Sequence, residues 1–102
     1  MVRTKAERRI ARWTMELQRW ALKLGRLHPR GSAEADYALG VIMAIAVSRR
    51  KVLPMLDADL AGQSQDTQSG YRDGIALLNQ VFELDDAPKG EFRDLLGAQF
   101  SE

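Results

Sequence analysis

Lys5, Arg12, Arg19 and Arg26 recur at every seventh residue, and Arg8 and Arg9 thicken the first end of the row. On a helix this spacing draws a cationic line about 31 Å long, at ~1.5 Å of rise per residue. Guanidinium and ammonium heads repeated in this way suit a polyanion backbone. Phosphates are recognised by charge and by the forked geometry of arginine, without contact to the bases.

Other chemistries have less to stand on. His28 is the single imidazole, and no partner that could position it as an acid or base lies nearby in sequence. A place at a helix C-terminus, where the dipole favours it, accounts for it better. Asp57, Asp59 and Gly62 begin a calcium-loop match, but the fifth position is Ala61 and the twelfth is Gln68. An oxygen ligand and the bidentate glutamate are both missing, so the aspartates read as the solvated face of a short helix. Asp85-Asp86 reads as helix-start chemistry and not as a catalytic carboxylate pair.

No GxxxxGKS/T, GxGxxG, GxSxG or HExxH occurs, which removes the common footholds for nucleotide, dinucleotide and hydrolase chemistry. GYRDG, residues 70–74, is a GxxxG without the apolar 20-mer that gives that motif its meaning. Cysteine is absent, so there is no thiolate nucleophile, no disulfide framework and no Cys-based zinc site, which fits a reducing cytosol. The expectation is a protein that is not an enzyme and needs no metal or cofactor.

The row must be carried by a helix, and residues 4–27 supply one. They contain no proline, one glycine, and an excess of Ala, Leu, Arg, Glu, Gln and Met. Ala6, Ile10, Trp13, Leu17, Trp20, Leu24 and Leu27 alternate in steps of four and three, an a/d seam of about three heptads that leaves the cations at position c. His28-Pro29-Arg30-Gly31 ends the helix, since the residue before proline is pushed out of the α region. Met15 and Leu22, both at position f, put apolar groups on the face opposite the seam. A helix apolar on two faces is usually covered on two sides, so Trp13, Met15, Trp20 and Leu22 are candidates for an intersubunit contact.

The remaining elements follow from caps and breakers. Ser32 is a plausible N-cap for a second helix over residues 33–53, with Glu34 and Asp36 in its first turn. Its apolar run makes it the central helix. Pro54 kinks or restarts it, and PMLDADLAG forms one or two turns closed by Gly62. QSQDTQS, residues 63–69, reads as a loop with some fraying helix. Tyr71, Ile75, Leu78 and Phe82 mark a third long helix, whose start Gly70 and Gly74 weaken. Phe92, Leu95, Leu96 and Phe100 mark a short last one. The expected fold is all-α: a small antiparallel bundle of four to five helices in one domain, residues 1–102, with a long basic N-terminal helix and a kink or break at Pro54.

The net charge of +1 hides a segregation. Residues 1–30 hold nine Lys/Arg against Glu7 and Glu16, a net +7, and residues 31–102 hold six against twelve Asp/Glu, a net −6. The longest apolar run, residues 37–47, falls short of the ~20 residues a membrane-spanning helix needs. It lies too far from the start for a signal peptide, with Glu34 and Asp36 directly ahead of it where a basic segment would stand, and a soluble, unprocessed, cytoplasmic chain is expected.

Three neighbours compete for the basic face: solvent, with the acidic remainder balancing it inside the fold; RNA or DNA backbone; or a membrane surface anchored by the tryptophans. The acidic, apolar remainder gives the seam something to pack against and argues against the membrane. This profile of a short all-α chain with an arginine-bearing helix is similar to helical small subunits of nucleoprotein complexes, those of CRISPR effector complexes included. It is equally similar to phage- or plasmid-encoded regulatory adaptors. The first resemblance implies an RNA- or DNA-binding assembly subunit; the second implies an adaptor working through a protein partner or a homo-oligomer.

Overall fold

The computed structural model describes residues 4–98 and residue 100. Among these there is no strand. Five helices occur in the order α1 (Lys5–Leu27), α2 (Ala33–Ser48), α3 (Asp57–Ala61), α4 (Gln65–Leu84) and α5 (Phe92–Leu96). None is long and apolar enough to cross a membrane. One core draws on all five, with Leu17, Val41, Leu78, Val81 and Thr67 as its most deeply buried large side chains.

Each long helix starts on a side-chain cap. The hydroxyls of Thr4, Ser32 and Ser64 accept from the backbone N–H groups of Glu7, Ala35 and Thr67 respectively, satisfying donors that have no partner within the helix. Ser64 corrects the sequence expectation: residues 65–69 are the first turns of α4 and not a loop. Hydropathy missed them because the buried face of that half, Thr67, Gly70, Tyr71 and Gly74, has the helical spacing but is built mainly of small residues.

Helix α2 ends earlier than expected. It stops at Ser48, six residues before Pro54, and residues 49–56 form a non-helical connection. The stop is a Schellman closure, in which Arg50 N–H donates to the Val47 carbonyl and Lys51 N–H to that of Ala46. Arg50 takes the left-handed conformation (φ 58°) that glycine usually fills, at a cost of about 1 kcal/mol. With no glycine there, the ending is invisible in the composition. Asp85, also left-handed (φ 52°), closes α4, so Asp85-Asp86 finish a helix where the sequence suggested they begin one.

The expected bundle is present, and its pairings have mixed sense. Helix α1 runs antiparallel to α2: Gly25 lies against Ala38, and Met15 against Arg49. The largest contact, α2 on α4, runs parallel, because the connection through α3 returns the chain to the starting end. Tyr37 and Gly40 meet Gly70, while Val41 and Ala44 meet Gly74.

The approach of α2 and α4 is a contact of main chains. A β-carbon on Gly40 would collide with the Thr67 carbonyl oxygen, and one on Gly70 with that of Tyr37. A β-carbon on Gly74 would stand 2.7 Å from that of Ala44. The GxxxG of residues 70–74 thus has a structural role without an apolar 20-mer around it, as the groove that admits α2. Two side-chain bonds fix the pair: the Tyr37 hydroxyl donates to Asp73 Oδ2 at 2.7 Å, and that of Ser64 donates to Asp36 Oδ2 at 3.0 Å.

Candidate functional site

Helix α1 is held by the middle of its seam. Ile10, Trp13 and Leu17 are buried, joined by Thr14 and Ala21 from position e. Leu24 is only half-buried and Leu27 is 68% exposed. A straight α-helix drifts by about 20° per heptad against a strict seven-residue repeat, so the 4,3 ladder runs off the core toward its end and position e rotates in. The Thr14 hydroxyl resolves its own burial by donating to the Ile10 carbonyl at 2.8 Å.

The two tryptophans share one partner. Phe92 of α5 meets Trp13 edge-on at a centroid distance of 5.6 Å and Trp20 at 6.1 Å. Trp13 is 7% exposed, so its side chain is spent on the fold and has almost no surface left for a partner, a correction to its place among the interface candidates. Trp20 is half-buried. Met15 and Leu22 each remain 40% exposed, and Arg49, reaching over from the end of α2, touches Met15 Sδ at 3.8 Å and donates to Gln18 Oε1 at 3.3 Å.

Directly opposite Leu17 lies the cationic face. Lys5, Arg8, Arg9, Arg12, Arg19 and Arg26 are all exposed. The drift that carries Leu27 off the core also brings in Lys23, exposed and eighteen residues after Lys5. Eighteen residues are five full turns, so Lys5 and Lys23 share one azimuth. Heptad lettering separates them as c and g, which is why the sequence reading left Lys23 out; counting at ~100° per residue finds it.

Few of these charges are answered from within. Arg9 pairs with Asp86 at 3.5 Å across an exposed gap, and Arg26 Nε donates to the Leu22 carbonyl at 3.4 Å. Among the described residues Lys5, Arg8, Arg12, Arg19 and Lys23 have no ion-pair partner within 4 Å. The acidic remainder does not fold back over the row.

Beside the first half of α1 lies an open groove of about 700 Å³, lined by Ile10, Met15 and Phe82 with Glu7, Arg49, Lys51 and Asp85 at its edges. Its charges are mixed in sign and it contains no imidazole. His28 stands at the other end of α1 as its C-cap, 3.9 Å from the Glu34 carboxylate, too far for a hydrogen bond. Asp57 and Asp59 lie in helix α3 and form no calcium loop. Among the described residues no three His, Asp or Glu side chains are grouped to hold a metal ion. Compared with known proteins, the chain matches no family model, no curated protein and no solved structure.

Proposed function

We propose that this chain is a non-enzymatic helical binding subunit whose α1 lies along a nucleic-acid backbone, RNA or DNA, within a larger nucleoprotein assembly. One observation carries the reading: the outer face of α1 presents Lys5, Arg12, Arg19, Lys23 and Arg26 over about six turns, and among the described residues no carboxylate pairs with any of them within 4 Å. Counter-ions condensed on the polymer are released when such heads replace them, which supplies affinity without base recognition.

The test is a salt titration of binding to labelled duplex and single-stranded oligonucleotides. If Lys5, Arg12, Arg19 and Arg26 each neutralise one phosphate, log K falls against log salt with a slope of about −3.6 for duplex or about −2.8 for single strands. Absence of binding at low salt, or a slope unchanged by Arg12→Glu with Arg19→Glu, would remove the proposal.

A second reading, a protein-binding adaptor without nucleic acid, draws on the exposure of Met15 and Leu22 beside the row. Affinity capture from the native cell with and without nuclease separates the two. Partners lost on nuclease treatment favour the first, and partners that survive it favour the adaptor.

A further inference from the structure

The two most exposed large apolar side chains among the described residues are Leu53, at 88%, and Leu56, at 70%. Both belong to the connection between α2 and α3, and Val52 beside them is 53% exposed. The segment is firmly held. Its first end is the Schellman closure at Arg50, the Met55 N–H donates to the Tyr71 hydroxyl at 3.1 Å, and Leu60 anchors α3 in the core. Water is therefore offered an apolar knob in a fixed position, which is costly unless something covers it.

The flanking charges say what fits. Arg49, Arg50 and Lys51 precede the knob and Asp57 and Asp59 follow it, all exposed, and no ion pair joins the two groups. The order cationic, apolar, acidic is complementary to itself when reversed. Turned by a two-fold axis near Pro54, the cations of one copy face the aspartates of another, and the apolar centres meet. A receiving surface adjoins the knob: a cleft of about 370 Å³ lined by Val47, Pro54, Tyr71, Ile75 and Phe82, with Phe82 itself 51% exposed.

We infer that a second copy of this chain docks here as a two-fold dimer. Leu53 of each copy fills the Phe82 cleft of the other, and Arg50 and Lys51 face Asp57 and Asp59 across the axis. The cleft itself contains no α1 residue, and the contact leaves the outer cationic face of α1 open in both copies.

Sedimentation equilibrium of the full chain across the micromolar range tests it. The mass rises from one chain toward two, and Leu53→Asp weakens the dimer by about thirtyfold or more, the loss expected of a central apolar anchor. Because Leu53 lies outside the core, the variant keeps its circular dichroism and, at concentrations low enough for the unmodified chain to be monomeric, its melting point. Two charge variants decide the geometry: Arg50→Glu with Lys51→Glu, and Asp57→Lys with Asp59→Lys, are each monomeric alone at concentrations where the unmodified chain pairs. Mixed, they form a heterodimer. A chain still monomeric at several hundred micromolar, a dimer untouched by Leu53→Asp, or charge variants that fail to recombine would each overturn the inference.

Discussion

The Tyr37 hydroxyl donates to Asp73 Oδ2 at 2.7 Å, tying α2 to α4, with the Leu96 carbonyl as a second, longer acceptor at 3.3 Å. Burial raises the phenol well above its ordinary value, and the bond to Asp73 and the carboxylate's charge raise it further. The unfolded chain has an ordinary tyrosine, ionising near pH ~10. A group whose folded value is raised contributes stability that is complete below the unfolded value and is lost as pH climbs above it. Tyr37→Phe should therefore cost about 1–2 kcal/mol at neutral pH, and the gap between the two proteins should close as pH rises beyond about 10. Urea denaturation at pH 8 and pH 11 measures both. A gap of constant size would show that the phenol is not the titrating group.

The crossing of α2 and α4 predicts a ranking among glycines. Gly40→Ala and Gly70→Ala press a methyl group into backbone and should each cost about 3 kcal/mol or more, at the upper end for overpacking. For a chain of this size that lowers the melting temperature by roughly 12–24 °C. Gly25→Ala is the contrast. Its β-carbon would meet that of Ala38 at 3.7 Å, an ordinary contact, and replacing a helix-interior glycine should add about 0.5–1 kcal/mol. Equal losses at all three positions would contradict the main-chain contact.

Ser64 has two duties, capping α4 through the Thr67 N–H and reaching the Asp36 carboxylate on α2. Ser64→Ala should cost about 1 kcal/mol or somewhat more in chemical denaturation. Ser64→Asp would keep the cap while setting a second carboxylate beside Asp36, and should fall below the unmodified chain at neutral pH but recover toward it below about pH 4, where carboxylates protonate.

For the cationic face the prediction is a lack of effect on folding. Arg12→Glu with Arg19→Glu removes no ion pair within the chain. The melting temperature should stay within about 4 °C, the shift that matches a surface change of ~0.5 kcal/mol. Arg9→Ala, which breaks an exposed pair with Asp86, should be equally mild. A large loss of stability from either would mean that α1 relies on its charges to fold.

Much of this architecture was legible in the chain. The 4,3 ladder of α1, the cap at Ser32 and the apolar run of α2 all announce helices, because side-chain period and cap chemistry are local, whereas the cap at Thr4 emerged only in the structure. What escaped is what locality cannot carry. The first half of α4 is amphipathic in size more than in hydropathy, so Thr67, Gly70 and Gly74 looked like a loop and a weak start when they form the tightest contact in the fold. Arg50 ends α2 in a conformation that its side chain does not advertise. The parallel sense of α2 and α4 depends on where the α3 connection lands, which no local spacing encodes. The cations were found with the exception of Lys23, lost to a seven-letter alphabet laid on a helix of 3.6 residues per turn.

The glycine crossing also bears on how kinship would be recognised. Substitutions can accumulate over the outer face of α1 at little cost to the fold, so the segment that we assign to binding is the one freest to drift or to be retuned for another partner. Gly40, Gly70 and Gly74 have no such freedom, since each alternative brings at least one extra carbon into an occupied space. A distant cousin of this chain would keep a glycine in the middle of its second long helix and a GxxxG near the start of its third, while its first helix bore almost any pattern of charge.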